Sequence, residues 1–162
     1  GDSILKHING WEISQKLDNC KVYVEPYRGA TVRCLKDHVK PAKRKNPDHC
    51  ILHVGTNDLD SETSPDMIAK SIADVASSLK SNSCGVSVSS IIVRKDKDEF
   101  HERALEVNKH LEDICIERNL FFIDNSKKTK EQHLNNRKFH LNRVGKSVFK
   151  GSLLNHIKNL MN

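Results

Sequence analysis

The sequence lacks long apolar runs, paired cysteines and a rich supply of aromatic residues. No apolar stretch approaches the roughly 20 residues of a membrane-spanning helix, and no secretory signal peptide is visible at the start. The five cysteines are odd in number, widely spaced and without a C-x-x-C pair, which argues against a disulfide framework and a zinc site. We therefore predict a soluble protein of the reducing, intracellular (cytoplasmic) compartment.

What the sequence does contain is enough apolar material for one folded domain. Hydrophobic residues make up 36% of the 162 positions and come in short periodic runs, within the size range that a single core serves. No repeat, low-complexity tract or linker divides the chain. We therefore treat residues 1–162 as a single domain.

The formal net charge of +6 is unevenly distributed. Residues 127–162 hold nine Lys or Arg against one acid, so this segment nets +8 and, by difference, residues 1–126 net −2. A second basic cluster is formed by Lys40, Lys43, Arg44 and Lys45. Such clusters attract phosphates and other anions, although a basic cluster is more often just a solvated surface.

Short apolar segments alternate with amphipathic ones along the chain. The alternation predicts parallel strands connected by right-handed helical crossovers, and hence an α/β fold built as a three-layer α/β/α sandwich. In such folds functional groups cluster at the carboxyl ends of the strands. The predicted strands cover residues 20–26, 49–54, 86–93 and 120–124, and the predicted helices cover residues 4–17, 30–40 with Pro41 as the stop, 64–79, about 98–118 and the C-terminal segment after a polar loop at 125–141.

Four residues stand where such a fold places its chemistry. Ser3 precedes an amphipathic helix, which suits a nucleophile beside the helix N–H groups and equally suits an ordinary N-cap. Gly29 follows a predicted strand and either frees an N–H for a ligand or makes a plain turn. Asn57, directly after a buried strand, is an uncharged donor for an oxyanion or the start of an Asx-turn. His140 precedes the last helix and is a general base or a surface histidine.

Taken in this order, the four residues resemble the Ser, Gly, Asn and His blocks of the SGNH (GDSL-type) hydrolase superfamily. The most specific pieces are Gly-Thr-Asn-Asp at 55–58 and His-Leu-Asn-x-x-Gly at 140–145, and the resemblance covers essentially the whole chain. Within the superfamily, segments 52–59 and 122–126 look most like the esterase domains in first-open-reading-frame proteins of animal non-LTR retrotransposons.

This resemblance implies a flavodoxin-like sandwich that hydrolyses small acyl esters without a metal or another cofactor. Ser3 would attack the acyl carbonyl while His140 takes its proton. The N–H groups of Ser3 and Gly29, together with the Asn57 amide, would hold the oxyanion. Because aromatic residues are few, we expect a shallow site that accepts acetyl-sized groups.

Two features depart from the family pattern. The position three residues before His140, where family members usually place an orienting Asp, is Arg137. Asp124, at the end of the last predicted strand, is a candidate for the third catalytic member and is equally a strand-end turn residue. The family also has a central strand directly before Gly-Asp-Ser, so we expect this domain to be truncated just before the strand that precedes Ser3.

The alternative hypothesis is a catalytically degenerate module of the same fold that binds RNA or single-stranded DNA, or that scaffolds a retrotransposon ribonucleoprotein. Base stacking has little support, because Phe139 and Phe149 alone interleave with the basic residues of the C-terminal segment. An anionic membrane surface is a third candidate partner, and an upstream region is a candidate for oligomerisation. The residues predicted to contact a phosphate or another anion are Lys40, Lys43, Arg44, Lys45, Arg137, Lys138 and Arg143.

Overall fold

A three-stranded parallel sheet organises the chain, whose computed structural model describes residues 1–92 and 94–162. Its strands are β1 (His49–Leu52), β2 (Gly85–Ser89) and β3 (Phe121–Ile123), side by side in that order. β2 lies in the middle, so Val88 is paired with neighbours in both β1 and β3. The predicted α/β fold with a parallel sheet is confirmed.

Helices of the described residues flank this sheet. The α-helices are α1 (Gly10–Ser14), α2 (Val32–Arg44), α3 (Pro65–Leu79), α4 (Asp98–Glu117) and α5 (Arg143–Met161), and 3₁₀ turns cover Ser3–His7, Asp58–Asp60 and Glu131–His133. α3 connects β1 to β2 and α4 connects β2 to β3, which are the crossovers that parallel strands require. No helix of the described residues has the length and apolar composition needed to cross a membrane.

The core is divided between the two faces of the sheet. On one face α2, α3 and α4 bury a large cluster against the strands, with Ile72 and Val88 at 0% exposure. On the other face the first 3₁₀ turn, α1 and α5 form a second cluster around Ile123 and Phe149. Because successive side chains of a strand point to opposite faces, both clusters draw on the same strands. Helices therefore cover the sheet on both sides.

The single helix predicted over residues 4–17 is wrong. The chain instead forms the 3₁₀ turn Ser3–His7 and then the short α1, with an extended residue, Asn9, between them. The Asn9 side chain accepts a hydrogen bond from the Trp11 N–H (3.0 Å) and so caps a new helix. The apolar stripe of this segment thus belongs to two short elements that pack on the same face.

The strand predicted over residues 20–26 is not formed either. Near its end the Gly1 amino group donates to the Glu25 carbonyl (2.8 Å) and the Gly1 carbonyl accepts from the Tyr27 N–H (2.7 Å), while the Val22 N–H donates to the Ser14 hydroxyl (2.8 Å). Val22 and Val24 still pack against the second cluster. The alternating pattern therefore reports a half-buried extended segment, whereas a strand also needs a continuous ladder of backbone partners.

The remaining elements agree with their predictions except at the ends. α2 continues through Pro41 to Arg44, because the fixed φ of proline is helical and its missing N–H removes a single hydrogen bond near the helix end. β1 ends at Leu52, β2 covers only Gly85–Ser89 and β3 covers Phe121–Ile123, each shorter than predicted. Val93, the last residue of the predicted third strand, lies outside the described residues.

Candidate active site

Ser3 opens the first 3₁₀ turn at the carboxyl end of β1. The preceding Asp2 is fully buried; its N–H donates to the His53 carbonyl (2.9 Å), and its carboxylate accepts from the Ile4 N–H (3.0 Å). Asp2, and not Ser3, is therefore the N-cap of this turn. Within the described residues, neither the hydroxyl nor the N–H of Ser3 forms a hydrogen bond. The half-buried serine is thus left available for a ligand.

The loops that carry Gly29 and Asn57 are tied to each other. The Asn57 amide donates to the Ala30 carbonyl (2.9 Å), and the Asp58 carboxylate accepts from the Val32 N–H at 3.1 and 3.2 Å. Asn57 makes no side-chain cap bond to the 3₁₀ turn that follows it, so the Asx-turn alternative is not observed. An amide nitrogen has two protons, so one of them stays available beside Gly29.

Gly29 provides the sharp turn of its loop. Its φ of 69° lies in the left-handed region that favours glycine, and a Cβ built on it meets no atom within 4 Å. Its N–H makes no hydrogen bond to any described residue. The bonds of Gly1 to Glu25 and Tyr27 and of Asp2 to His53 place the loops of Ser3, Gly29 and Asn57 at one edge of the sheet.

His140 lies half-buried in the loop that leads to α5. The Asn135 side chain accepts hydrogen bonds from the N–H groups of Phe139 (3.2 Å) and His140 (3.3 Å), and the Asn135 N–H donates to the His140 carbonyl (2.7 Å). Burial lowers the pKa of His140; Asp2 opposes this shift, while Arg94 adds to it. Asp2 is therefore within electrostatic reach of the ring, which ties His140 to the Ser3 turn.

No carboxylate takes the position of an orienting acid on His140 in the described residues. Arg137 is exposed, and the His140 ring makes no hydrogen bond within the described residues. Asp124 accepts hydrogen bonds from the Ser126 hydroxyl (2.7 Å) and the Lys127 N–H (3.1 Å) and pairs with the Lys127 ammonium. Its carboxylate is thus engaged within its own turn.

Arg94 is a residue of this edge that the sequence patterns did not single out. It is only 8% exposed, and its guanidinium donates to the Thr56 carbonyl (3.3 Å), next to Asn57. The same guanidinium lies over the ring of Phe139, next to His140. One signal was available: Arg94 follows the apolar run of the third predicted strand, at the end where functional groups collect.

The basic clusters are partly neutralised by neighbouring acids. Lys40 pairs with Asp37 (2.7 Å), and Lys43 donates to the Ser78 carbonyl (2.8 Å). In such surface pairs the acid compensates part of the positive charge, so the lysine attracts an external anion less strongly. The other paired lysines of the predicted set are Lys45 with Glu25 and Lys138 with Glu131, whereas Arg44, Arg137 and Arg143 form no ion pair within residues 1–92 and 94–162.

Comparison with known proteins is consistent with this arrangement. Residues 8–148 match the GDSL-like Lipase/Acylhydrolase family. Among curated proteins, none matches the chain significantly. Neither the family match nor the similar structures support the narrower resemblance to retrotransposon proteins.

Several solved structures share the fold at low sequence identity. A lipolytic G-D-S-L family protein from Veillonella parvula superposes with a TM-score of 0.80 at 20% identity, over 96% of this chain and 93% of its own. A lipase/acylhydrolase from Enterococcus faecalis gives 0.76 at 19% identity, over 93% and 82%. A catalytic mutant of an acetylxylan esterase from Geobacillus stearothermophilus gives 0.75 at 16% identity, over 91% and 78%.

Proposed function

Because this chain belongs to the GDSL-like lipase/acylhydrolase family, we propose that it is a serine esterase that hydrolyses short acyl esters, acetyl esters above all. The observation that carries the proposal is the state of Ser3. Its hydroxyl and N–H make no hydrogen bond within the described residues, at the edge where the loops of Gly29 and Asn57 meet. A buried carboxylate, that of Asp2, links this turn electrostatically to His140.

In the proposed reaction the Ser3 hydroxyl oxygen attacks the acyl carbonyl and passes its proton to His140. The oxyanion accepts hydrogen bonds from the N–H groups of Ser3 and Gly29 and from the second amide proton of Asn57. His140 then returns the proton to the leaving alcohol, which leaves an acyl group on Ser3. A water molecule, activated by the same histidine, attacks this acyl group and releases the acid.

The protonation state of His140 suits a general base. Burial lowers its pKa, so the ring is neutral and able to accept a proton at pH 7. The imidazolium formed in the reaction is favoured by the Asp2 carboxylate and disfavoured by Arg94 and Lys146. The proposal gives Asp124 no catalytic role, because its oxygens are engaged by Ser126 and Lys127.

The preference for a small acyl group rests on two features. Aromatic residues, which line most pockets for long apolar chains, make up 5% of the sequence. The similar Geobacillus structure is that of an acetylxylan esterase, which favours acetyl as the group transferred. Turnover of nitrophenyl acetate, butyrate and octanoate should therefore decrease in that order, and a preference for octanoate would contradict the assignment.

The proposal is tested by treating the purified chain with nitrophenyl acetate and with a fluorophosphonate probe. We expect turnover and covalent labelling, and we expect Ser3→Ala to lose labelling and to reduce kcat by about 10³-fold or more. Ser147→Ala is the matched control, since Ser147 is exposed on α5 and donates to the Arg143 carbonyl. If the intact chain neither labels nor turns over the ester, the proposal fails and the degenerate-module hypothesis replaces it.

A further inference from the structure

We infer that Arg94 and Phe139 together hold the His140 ring in place, and so supply the orientation that a carboxylate gives in a catalytic triad. Both are positioning residues, because they act through His140 and not on the substrate. Their catalytic meaning rests on the proposed function, whereas their effect on the His140 ring does not.

The contact with His140 comes from Phe139. The two rings meet edge to face, with centroids 4.2 Å apart and an interplanar angle of 75°. Aromatic rings favour this edge-to-face geometry, because the positive edge of one ring then meets the negative face of the other. The Phe139 ring thus restricts the rotation of an imidazole that makes no hydrogen bond within the described residues.

Arg94 in turn fixes Phe139. Its guanidinium carbon lies 4.1 Å from the centroid of the Phe139 ring and 4.5 Å from that of Phe100, on α4. Its Nε and Nη2 donate to the two oxygens of Asp96 at 2.9 and 2.5 Å. A planar guanidinium with a bidentate carboxylate and two aromatic partners has little freedom to move, so it presents a rigid surface to Phe139.

The same arginine joins the two halves of the site. Its Nη1 donates to the carbonyl of Thr56, the residue before Asn57. The next residue, Lys95, donates its N–H to the Lys138 carbonyl (2.9 Å), so the backbone before Phe139 is held as well. Arg94 therefore sets the position of the general base relative to an oxyanion donor, a distance that catalysis depends on.

An arginine in this place also has an electrostatic effect that an acid would not have. Burial lowers the pKa of His140 most, the Asp2 carboxylate opposes this shift, and the Arg94 cation lowers the pKa further, followed by Lys146 and His7. Activity that requires the neutral base disappears as pH falls through this pKa. Removal of the cation should therefore move the acid limb of the kcat/KM profile to higher pH.

The geometric part of the inference is tested with Phe139. Phe139→Leu removes the ring contact, and we expect kcat to fall by about 10²-fold with little change in KM, the cost of misplacing a catalytic group by about 1 Å. Phe139→Tyr retains the ring and should keep kcat near the wild type. A folded Phe139→Leu protein with kcat within about twofold of the wild type would overturn the inference.

The electrostatic part is tested with Arg94→Met and Arg94→Lys. The Met variant should lower kcat and shift the acid limb to higher pH, whereas the Lys variant should lower kcat through lost geometry and keep the limb close to the wild type. Lys97→Met, which removes an exposed cation of the same segment that contacts Phe100, should leave both kcat and the limb unchanged. An unshifted limb in Arg94→Met contradicts the inference.

A third readout does not need catalysis. Titration of the His140 ring by NMR should show a higher pKa in Arg94→Met than in the wild type, and the same pKa in Lys97→Met. If the wild type hydrolyses no ester but this difference is found, the proposed function fails while the effect of Arg94 on the His140 ring stands. If the wild type is active but the titration is identical in both proteins, the inference alone fails.

Discussion

Among the sites of the described residues that contain serine and histidine, two differ in how completely their hydrogen bonds are made. Toward the amino-terminal part of the sheet, the Ser87 hydroxyl lies 2.7 Å from Nε2 of His49 and 2.7 Å from Nε2 of His156. A hydroxyl has one proton and two lone pairs, so it is able to bond both rings at once. Ser87 is 0% exposed and is fully satisfied by this pair.

Neighbouring residues pack tightly around Ser87 and its two histidines. Phe121 packs against both imidazoles, with ring centroids at 5.7 and 6.2 Å. Gly85 gives the His49 ring its space, since a Cβ there would lie 2.5 Å from Nδ1. The strands β1 and β2 and the helix α5 are thereby joined through one buried hydroxyl.

The edge that carries Ser3 shows the opposite condition. Four of the six buried side-chain atoms without a hydrogen-bond partner in the described residues belong to Asp2, His53, Thr56 and Asn125. A buried polar atom left without a partner costs about 1–3 kcal/mol, so each such group needs an explanation, of which a functional role is one. The hydroxyl and the N–H of Ser3 make no hydrogen bond within the described residues. A serine whose hydroxyl is fully hydrogen-bonded to histidines thus has a structural role, whereas a serine whose hydroxyl has no partner is a candidate nucleophile.

The largest expected effect is a difference in kcat between variants of His140 and of His49. His140→Gln should reduce kcat by about 10²–10⁴-fold, the usual contribution of a general base. His49→Gln should keep kcat near the wild type and lower the thermal unfolding temperature, because its ring contacts Ser87 and not the substrate. Loss of turnover in a folded His49→Gln protein would contradict a purely structural role of His49.

A smaller effect concerns stability against pH. Burial, followed by repulsion from His156, lowers the pKa of His49 to about 4 from its ordinary value of 6.5. Between these values the unfolded chain takes up a proton that the folded chain refuses, so stability is lost as pH falls through this window. After a discount for partial exposure, we expect a contribution of about 1 kcal/mol between pH 7 and pH 5.

Urea unfolding at the two pH values measures this contribution. The loss of stability on acidification should be reduced in His49→Gln, whose side chain does not titrate and still reaches Ser87. An identical loss in both proteins would assign the acid sensitivity to other groups.

The smallest effect is expected at Asp124. Asp124→Asn should change kcat by less than about twofold, because this carboxylate binds Ser126 and Lys127 and not the His140 ring. Activity against nitrophenyl acetate measures it directly. A fall approaching the roughly 10⁴-fold that removal of an orienting acid costs in a serine protease would restore Asp124 to the catalytic group.

The sequence predicted the architecture better than the local elements near the chain start. The apolar run at 49–54 predicted a parallel strand correctly, although three of the four residues of β1 are only half-buried. The segment 20–26 shows where pattern reasoning stops. Its alternation is real, but a strand also needs a neighbouring backbone, and the partners in the described residues, Gly1 and the Ser14 hydroxyl, form no continuous ladder. The break at Asn9 likewise depends on a cap that competes with the helical stripe.

The residues of the candidate site also differ in whether the sequence pattern could predict them. Ser3, Gly29, Asn57 and His140 were found from their order and from their positions beside strands, which are properties of a linear pattern. Arg94 was missed because its role is defined by what surrounds it: Phe139 comes from a loop more than forty residues further along the chain. No spacing rule connects such residues, since their distance is fixed by the packing of the sheet and its helices.

By itself, then, the sequence determined the fold class, the four residues of the candidate site and the basic C-terminal segment, because periodicity, residue type and charge are local properties. The tertiary structure decided that the Ser87 hydroxyl is engaged by two histidines, that several of the basic residues are paired with acids, and that Arg94 is stacked on Phe139, the residue before His140. These are outcomes of packing, in which groups distant in sequence compete for the same hydrogen bonds and the same buried space.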